Sequence, residues 1–435
     1  MHRSLRLSRF RGSAALSTAA APKLDGQAAI CKDTGLTYAS KYDCALLDGA
    51  TVLDDATGFG LRVPRCDLTK AAAFTTDDVE ALKRVIQDVR GILTFPNQRD
   101  LHPRDHVAFA AHFGTPETHL VANGLPEHPE ILEIVREKDA AVVFGEEWHS
   151  DHSFQPLPAS YSFLRATSEV TPYGTNNTEF AHCEEAWRAF SPSMKEVLLP
   201  LDAYHSAGKA YGDGRKYGKT TPNSREAMLE TSSMTLLQDR EEDIIPDVVH
   251  PVVTRHPESG RDAVFISETF TNGIVGMTVR EGLELTQLIQ RHVIQRQFRV
   301  QVAYKPHQLA MWDNRCLIHR GLQDDTSARR VIQRASVPMA RPPAAARDFP
   351  TTKPTSLRRP SPSRSSRRRR LSIKISITST WIRTVPNSED YFYSPKKSFT
   401  VNEYILIAIQ YHLKLLIVLF SLLVYTLSIA EGPVL

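Results

Sequence analysis

Cysteine pairs are missing from this sequence. Its five cysteines, Cys31, Cys44, Cys66, Cys183 and Cys316, never fall in a C-x-x-C pair. That argues against a zinc ribbon and against a disulfide framework, and it fits a reducing interior such as cytosol or mitochondrial matrix. The apolar run Leu415–Ala430 has sixteen residues, short of the roughly 20 that a bilayer-spanning helix needs. Lys414 and His412 just upstream could snorkel, so residues 404–430 stand as a candidate C-terminal membrane anchor. Acid is scarce at both ends. Residues 1–24 carry Arg3, Arg6, Arg9, Arg11 and Lys23 with no Asp or Glu, and residues 341–370 hold Asp348 alone. The net charge of +4 therefore comes from the ends and says little about what the core binds. No internal repeat is visible.

Between those ends the composition is that of a globular protein, with 41% hydrophobic and 23% charged residues. Residues 1–50 read as leader and linker. The Arg-, Ser- and Ala-rich start has the composition of a mitochondrial transit peptide. Residues 55–340 read as the folded domain. Residues 341–400, rich in Pro, Ser and Arg, read as a disordered, solvated linker, and no specific nucleic-acid partner is expected. Self-association into a homo-oligomer is compatible with the sequence.

In the central region TTDDVEALKRVIQDVRG, DHVAFAAHFG and REGLELTQLIQRHVIQR are expected as helices, and TEFAHCEEAWRAFS (178–191) as a fourth. ILTF, EILEIV, AAVVF (140–144), YSFLRA, DVVHPVVTRH, AVFIS, QVAYK, LAMWD and RRVIQRASV are expected as strands. Many short strands with a few inserted helices predict a mainly β fold, a sandwich or jelly-roll.

The chemistry concentrates in GEEWHSDHSF (145–154). On a strand, positions i and i+2 share a face, so His149 and Asp151 would offer one nitrogen and one oxygen ligand together. His319, in LAMWDNRCLIHRG, is the best third ligand. Two histidines and one carboxylate on one face of an octahedron suit iron(II) oxygenases. H-x-D alone is a weak signal, since 16 histidines give about one chance match. Arg330 and Arg334, eleven and fifteen residues after His319, strengthen it. Four residues apart on a strand they share a face, and guanidinium groups suit capture of carboxylates. Two competitors stay open: a metal-dependent hydrolase using His149, Asp151 and His152, and a non-catalytic, membrane-tethered binding protein on the same fold. The first leaves Arg330 and Trp312 unexplained.

Over residues 58–340 the chain resembles the TauD/TfdA family of taurine and 2,4-D dioxygenases. The resemblance lies in ILTFPNQ, the HFG at 112–114, WHSDHSF, TEFAHCEEAWRAFSP, VVHPVVTRHPESGR, VFISETFTNGIVGMT and MWDNRCLIHR followed by RRVIQRASV. It implies a double-stranded β-helix (jelly-roll, cupin-like) core and an Fe(II)- and 2-oxoglutarate-dependent dioxygenase. Such an enzyme uses O2, hydroxylates a small anionic substrate (a sulfonate, sulfate ester or aryloxy acid) and gives succinate and CO2. By position, His149, Asp151 and His319 match the iron ligands. Arg330 and Thr178 match the residues that hold the distal carboxylate of 2-oxoglutarate. Arg334 and His119 match substrate-side positions, and Phe270 is expected either to line the substrate pocket or to pack in the core. The chain departs from the family where a Gly-Gly-Asp-Thr turn becomes Gly174 followed by Thr175, Asn176, Asn177 and Thr178. It departs again at Gly145, where the taurine enzyme has a substrate-binding asparagine, and at Ala122, which replaces an aromatic.

Overall fold

The computed structural model describes residues 36–120, 122–139, 145–208 and 247–349. All of them belong to one compact unit, Met1–Ser356, of the two into which the chain divides. The leader at 1–24, the strand expected at 140–144, the linker beyond residue 349 and the apolar segment at 404–430 lie outside the described residues. Among the described residues no helix is long and apolar enough to cross a membrane.

Helix α1 (Tyr38–Tyr42) is short, capped by Thr37, and buries Tyr38 and Tyr42. Together with Leu47 they join the same core as the later helices, so the fold reaches upstream of the expected boundary at residue 55. Helix α2 (Thr76–Asp88) begins with a reciprocal cap. Asp78 N donates to Thr75 Oγ1 at 3.1 Å, and Thr75 N donates to Asp78 Oδ2 at 3.0 Å, which satisfies two amides that the first turn leaves without partners. It buries Val79, Leu82, Val85 and Ile86, an apolar stripe at helical spacing. The chain leaves the helix through Arg90 and Gly91, both at positive φ. A Cβ on Gly91 would sit 2.9 Å from Cys316 Sγ, so this position needs glycine for space as well as for conformation. Helices α3 (Pro103–Ala111), α4 (Cys183–Ala189), α5 (Pro192–Leu198) and α6 (Val279–Val293) complete the larger set.

The strands in chain order are β1 (Thr51–Asp54), β2 (Phe59–Arg62), β3 (Ile92–Phe95), β4 (Leu132–Arg136), β5 (Ala159–Ala166), β6 (Thr178–His182), β7 (Asp202–His205) and β8 (Val248–Pro251). They continue as β9 (Val253–Arg255), β10 (Asp262–Val264), β11 (Thr271–Ile274), β12 (Arg299–Val302), β13 (Leu309–Asp313), β14 (Leu317–Gly321), β15 (Arg330–Pro338) and β16 (Ala344–Ala345). The major sheet runs β1-β2-β3-β13-β5-β15-β4. Three smaller sheets run β12-β6-β14, β11-β7-β8 and β10-β9-β16.

Alternation divides the major sheet into two faces. Leu93, Phe95, Phe163, Met311, Ala335 and Val337 pack with residues of α2 and α3. From the other face Ile92, Leu164, Trp312 and Ile332 pack with Phe180, Val300, Val302 and Leu317 of the β12-β6-β14 sheet. Two sheets closed face to face over an apolar layer make the expected jelly-roll.

One expected helix is divided. TEFAHCEEAWRAFS starts as strand β6, pairs on both sides with β12 and β14, and turns helical only at Cys183. Every residue from Thr178 to His182 is buried, so central pairing in a sheet overrides the helical spacing of Phe180, Cys183, Trp187 and Phe190. His182 marks the switch, its Nδ1 accepting from Glu185 N at 3.2 Å as the helix cap.

Candidate active site

His149 and His319 exchange both backbone hydrogen bonds, N to O at 2.9 and 2.8 Å. This isolated bridge sets the two imidazoles side by side, with ring centroids 4.2 Å apart. The strand expected to carry both His149 and Asp151 does not form. Past the bridge the segment has no further strand partner and enters a turn at Asp151, with His152 at φ 55°. Asp151 reaches the cluster through that turn. Its carboxylate oxygens lie 3.7 Å from His149 Nε2 and 3.9 Å from His319 Nε2. The three candidate ligand atoms fall within 4.8 Å of one another, and all three residues are buried.

The chemistry of this donor set fits a divalent ion. His149 Nδ1 lies 2.7 Å from the carbonyl of Glu147, which can only accept, so the proton sits on Nδ1 and the Nε2 lone pair faces the cluster. The His319 ring packs against Trp312, 4.7 Å away, and Phe180, stacked at 5.7 Å. Burial lowers the pKa of both histidines, against the pull of Asp151, and holds them as the neutral imidazoles that ligate metals. Burial would raise the Asp151 pKa, but Arg334 above all, then His319 and His149, overcome it and keep the carboxylate ionised.

His152 takes no place in that cluster. Its Nδ1 pairs with Glu117 Oε1 at 2.7 Å, and its Nε2 lies 3.4 Å from Arg334 Nη2. The hydrolase set of His149, Asp151 and His152 is therefore not assembled. Among the described residues one further group has the shape of a metal site, His256, Glu258 and Asp313. A guanidinium already fills it: Arg315 Nη2 donates to Asp313 Oδ2 at 2.6 Å and Arg315 Nη1 to Glu258 Oε1 at 2.7 Å. His256 spends both ring nitrogens on Asp313 and on the amides of Glu258 and Ser259. This is an ion-pair network, and the sequence reading gave its members no role.

Arg330 and Arg334 share one face of β15, as their spacing predicts. Arg334 Nη1 donates to Asp151 Oδ1 at 2.6 Å. Arg330 is buried over the ring of Tyr304, at 5.7 Å, and no carboxylate among the described residues pairs with it. Thr178 Oγ1 lies 3.1 Å from Tyr304 Oη, so Tyr304 links the two residues expected at the cosubstrate. No sequence signal singled out Tyr304, which lies two residues beyond β12.

The departures have physical counterparts. Asn176 takes φ 49°, a left-handed conformation that asparagine tolerates. Its side chain accepts from Arg136 Nη1 at 3.0 Å and donates to Thr171 Oγ1 at 2.9 Å and to Asp325 O at 2.7 Å. A Cβ on Gly145 would come within 3.2 Å of His149 Cε1, so an asparagine here would press on a candidate ligand. Ala122 is buried in the layer between the two sheets. His119 lies 5.0 Å from the His152 ring, and Phe270 lies 4.9 Å from Phe154 and 6.1 Å from His149. Both border the cluster.

Comparison with known proteins matches this arrangement. A family model described as taurine catabolism dioxygenase TauD, TfdA family, matches residues 53–336. The alpha-ketoglutarate-dependent 2,4-dichlorophenoxyacetate dioxygenase of Cupriavidus pinatubonensis is 31% identical over 294 residues, covering 64% of this chain and 94% of that protein. The alpha-ketoglutarate-dependent sulfonate dioxygenase of Saccharomyces cerevisiae is 25% identical, covering 61% of each chain. Among solved structures, AAD-2 in complex with Mn(II) and N-oxalylglycine superposes with a TM-score of 0.52 at 27% identity, covering 68% of this chain and 98% of that one.

Proposed function

The chain belongs to the TauD/TfdA family of Fe(II)- and 2-oxoglutarate-dependent dioxygenases, and from that premise we propose that the buried cluster oxidises a C–H bond of a small organic anion. The observation that carries this reading is a pair of complementary features on one face of β15. Arg334 touches the two-histidine, one-carboxylate cluster, and four residues away Arg330 is a buried cation without a carboxylate partner among the described residues. A buried guanidinium is costly unless an anion meets it.

In this reading His149, Asp151 and His319 hold the iron. With 2-oxoglutarate and O2 as cosubstrates, a bound iron would supply the oxidising chemistry, with succinate and CO2 as the co-products. The protein supplies position. Arg330 and Thr178, joined through Tyr304, hold the distal carboxylate of 2-oxoglutarate, and because a guanidinium stays charged at any working pH that grip does not titrate away. Phe154, Phe270 and Trp312 are buried beside the cluster and exclude water from it. Arg334 and His119 give the substrate side a cation and a neutral imidazole, since burial drives the His119 pKa down. The relatives named above act on 2,4-dichlorophenoxyacetate and on sulfonates, both anions. Gly145, where the taurine enzyme has a substrate-binding asparagine, offers no side chain for that contact and argues against taurine itself.

The test is anaerobic. Fe(II) followed by 2-oxoglutarate should raise a weak visible charge-transfer band that His149→Ala abolishes. A parent protein without the band, or a variant that keeps it, would contradict the assignment. Succinate release stimulated by aryloxyacetic acids, alkyl sulfates or sulfonates, screened in parallel, then identifies the substrate class.

A further inference from the structure

We infer that Asn314 and Ser162 are positioning residues for Asp151, locking its carboxylate before any metal binds and thereby setting how tightly the site holds a divalent ion. The inference rests on the assignment of Asp151 to the metal. Asn314 is 1% exposed and both polar atoms of its amide are engaged. Its Oδ1 accepts from Trp312 Nε1 at 2.9 Å and from the Asp151 backbone amide at 3.3 Å. Its Nδ2 donates to Ser162 Oγ at 2.9 Å. Both partners of Oδ1 can only donate, so the orientation of the amide is decided by the network. Ser162 Oγ is fully buried and lies 2.6 Å from Asp151 Oδ2. A hydroxyl has a single hydrogen. Because Asn314 Nδ2 can only donate, Ser162 must aim that hydrogen at the carboxylate. The path therefore has one polarity, from indole to amide and from amide through hydroxyl to Asp151.

The backbone of Asn314 strengthens the lock. Its carbonyl accepts from Ser150 Oγ at 3.0 Å, and its amide donates to Ser160 O at 2.8 Å. One residue in the turn between β13 and β14 thus fastens the Ser150–Asp151 segment, strand β5 and, five residues on, the strand that carries His319. The other carboxylate oxygen is held from the opposite side by Arg334. With Asn314 removed, Ser162 is free to swing its hydrogen elsewhere, and the carboxylate regains a rotation that metal binding must then freeze.

The experiment titrates Mn(II) into the full-length protein and reads free Mn(II) by electron paramagnetic resonance. The parent should show one site that His319→Ala removes; if it does not, the metal assignment fails, independently of the lock. Asn314→Ala and Ser162→Ala should each weaken Mn(II) binding about 10- to 100-fold. The double variant should lose no more than the weaker single, because both changes break one path. Ser160→Ala, on the same strand as Ser162, removes a hydroxyl bonded to Val337 O of β15; it serves as the control for general loosening and should stay within about threefold. The visible spectrum of the Co(II)-loaded protein gives a second readout, shifted alike in the two variants and unshifted in the control. Additive losses, single variants that bind within about threefold of the parent, or a control as weak as they are would overturn the inference. Should Asn314→Ala fail to fold, Ser162→Ala decides alone, since it leaves the bonds of Asn314 to Trp312 and Asp151 in place.

Discussion

Arg330 is a buried guanidinium that no carboxylate among the described residues meets. Burial pulls its pKa below the ordinary value, Tyr304 pulls the other way and Arg136 adds to the lowering. A cation left in that state calls for an anionic ligand, and it separates cosubstrate binding from metal binding. Arg330→Met should raise the KM for 2-oxoglutarate by about 30-fold or more, the cost of removing one partner from a buried charge pair. Mn(II) affinity should change little, because Arg330 touches none of the cluster. Succinate formation measured against 2-oxoglutarate concentration checks this, and an unchanged KM would assign the distal carboxylate elsewhere. The position was legible in the sequence, since its distance from His319 and its spacing from Arg334 are local quantities. Tyr304 was not, because its contacts to Thr178 and Arg330 span 126 residues in one case and link two sheets.

At the scale of elements, the turn from Gly174 to Thr178 shows how a departure from a family pattern is absorbed. Asn176 occupies a left-handed position and makes side-chain bonds to Arg136, Thr171 and Asp325 that a glycine there could not make. Two substitutions separate backbone from side chain. Asn176→Gly keeps the conformation and loses those bonds, and should cost about 1–3 kcal/mol. Asn176→Ala loses both and should cost about 1–2 kcal/mol more, the penalty of a Cβ in that conformation. Thermal or urea unfolding ranks them, and a glycine variant as stable as the parent would reduce the side chain to a bystander. The helix expected in TTDDVEALKRVIQDVRG was legible in the same way, because its spacing and its reciprocal cap at Thr75 and Asp78 are decided within a few residues. The boundary between β6 and α4 was not, because central pairing with β12 and β14 decided it.

At the scale of the whole molecule, the buried network around Arg315 ties distant parts together. Gln87 of α2 donates to Asp313 at 2.6 Å, Tyr161 of β5 donates to Glu258 at 3.1 Å, and His256 meets Asp313 from the loop before β10. Burial would raise the Asp313 pKa, but Arg315 first and His256 next hold it well below the ordinary 3.8. A carboxyl whose pKa is depressed on folding stabilises the protein above its unfolded value and loses that contribution as pH falls toward its folded one. Arg315→Met should therefore cost about 3–5 kcal/mol near neutrality, and the gap to the parent should narrow on acidification. Melting temperatures from about pH 7 down to about pH 3 test it; a gap that is constant or widens would mean that the network is not what Arg315 supports. The sequence by itself determined the chemical inventory: two histidines and an aspartate of a kind suited to a metal, two arginines at strand spacing, and the short strands of a jelly-roll. These follow from periodicity and motif order, which are properties of neighbouring residues. Tertiary structure alone decided that Asp151 reaches the cluster through a turn rather than along a strand, and that His152 turns to Glu117. It decided too that Arg315 fills the second acidic group, and that Asn314 meets Ser162 across 152 residues. Those outcomes depend on which strands pair and in what register, and side chains that far apart in sequence become neighbours only once the sheets have closed.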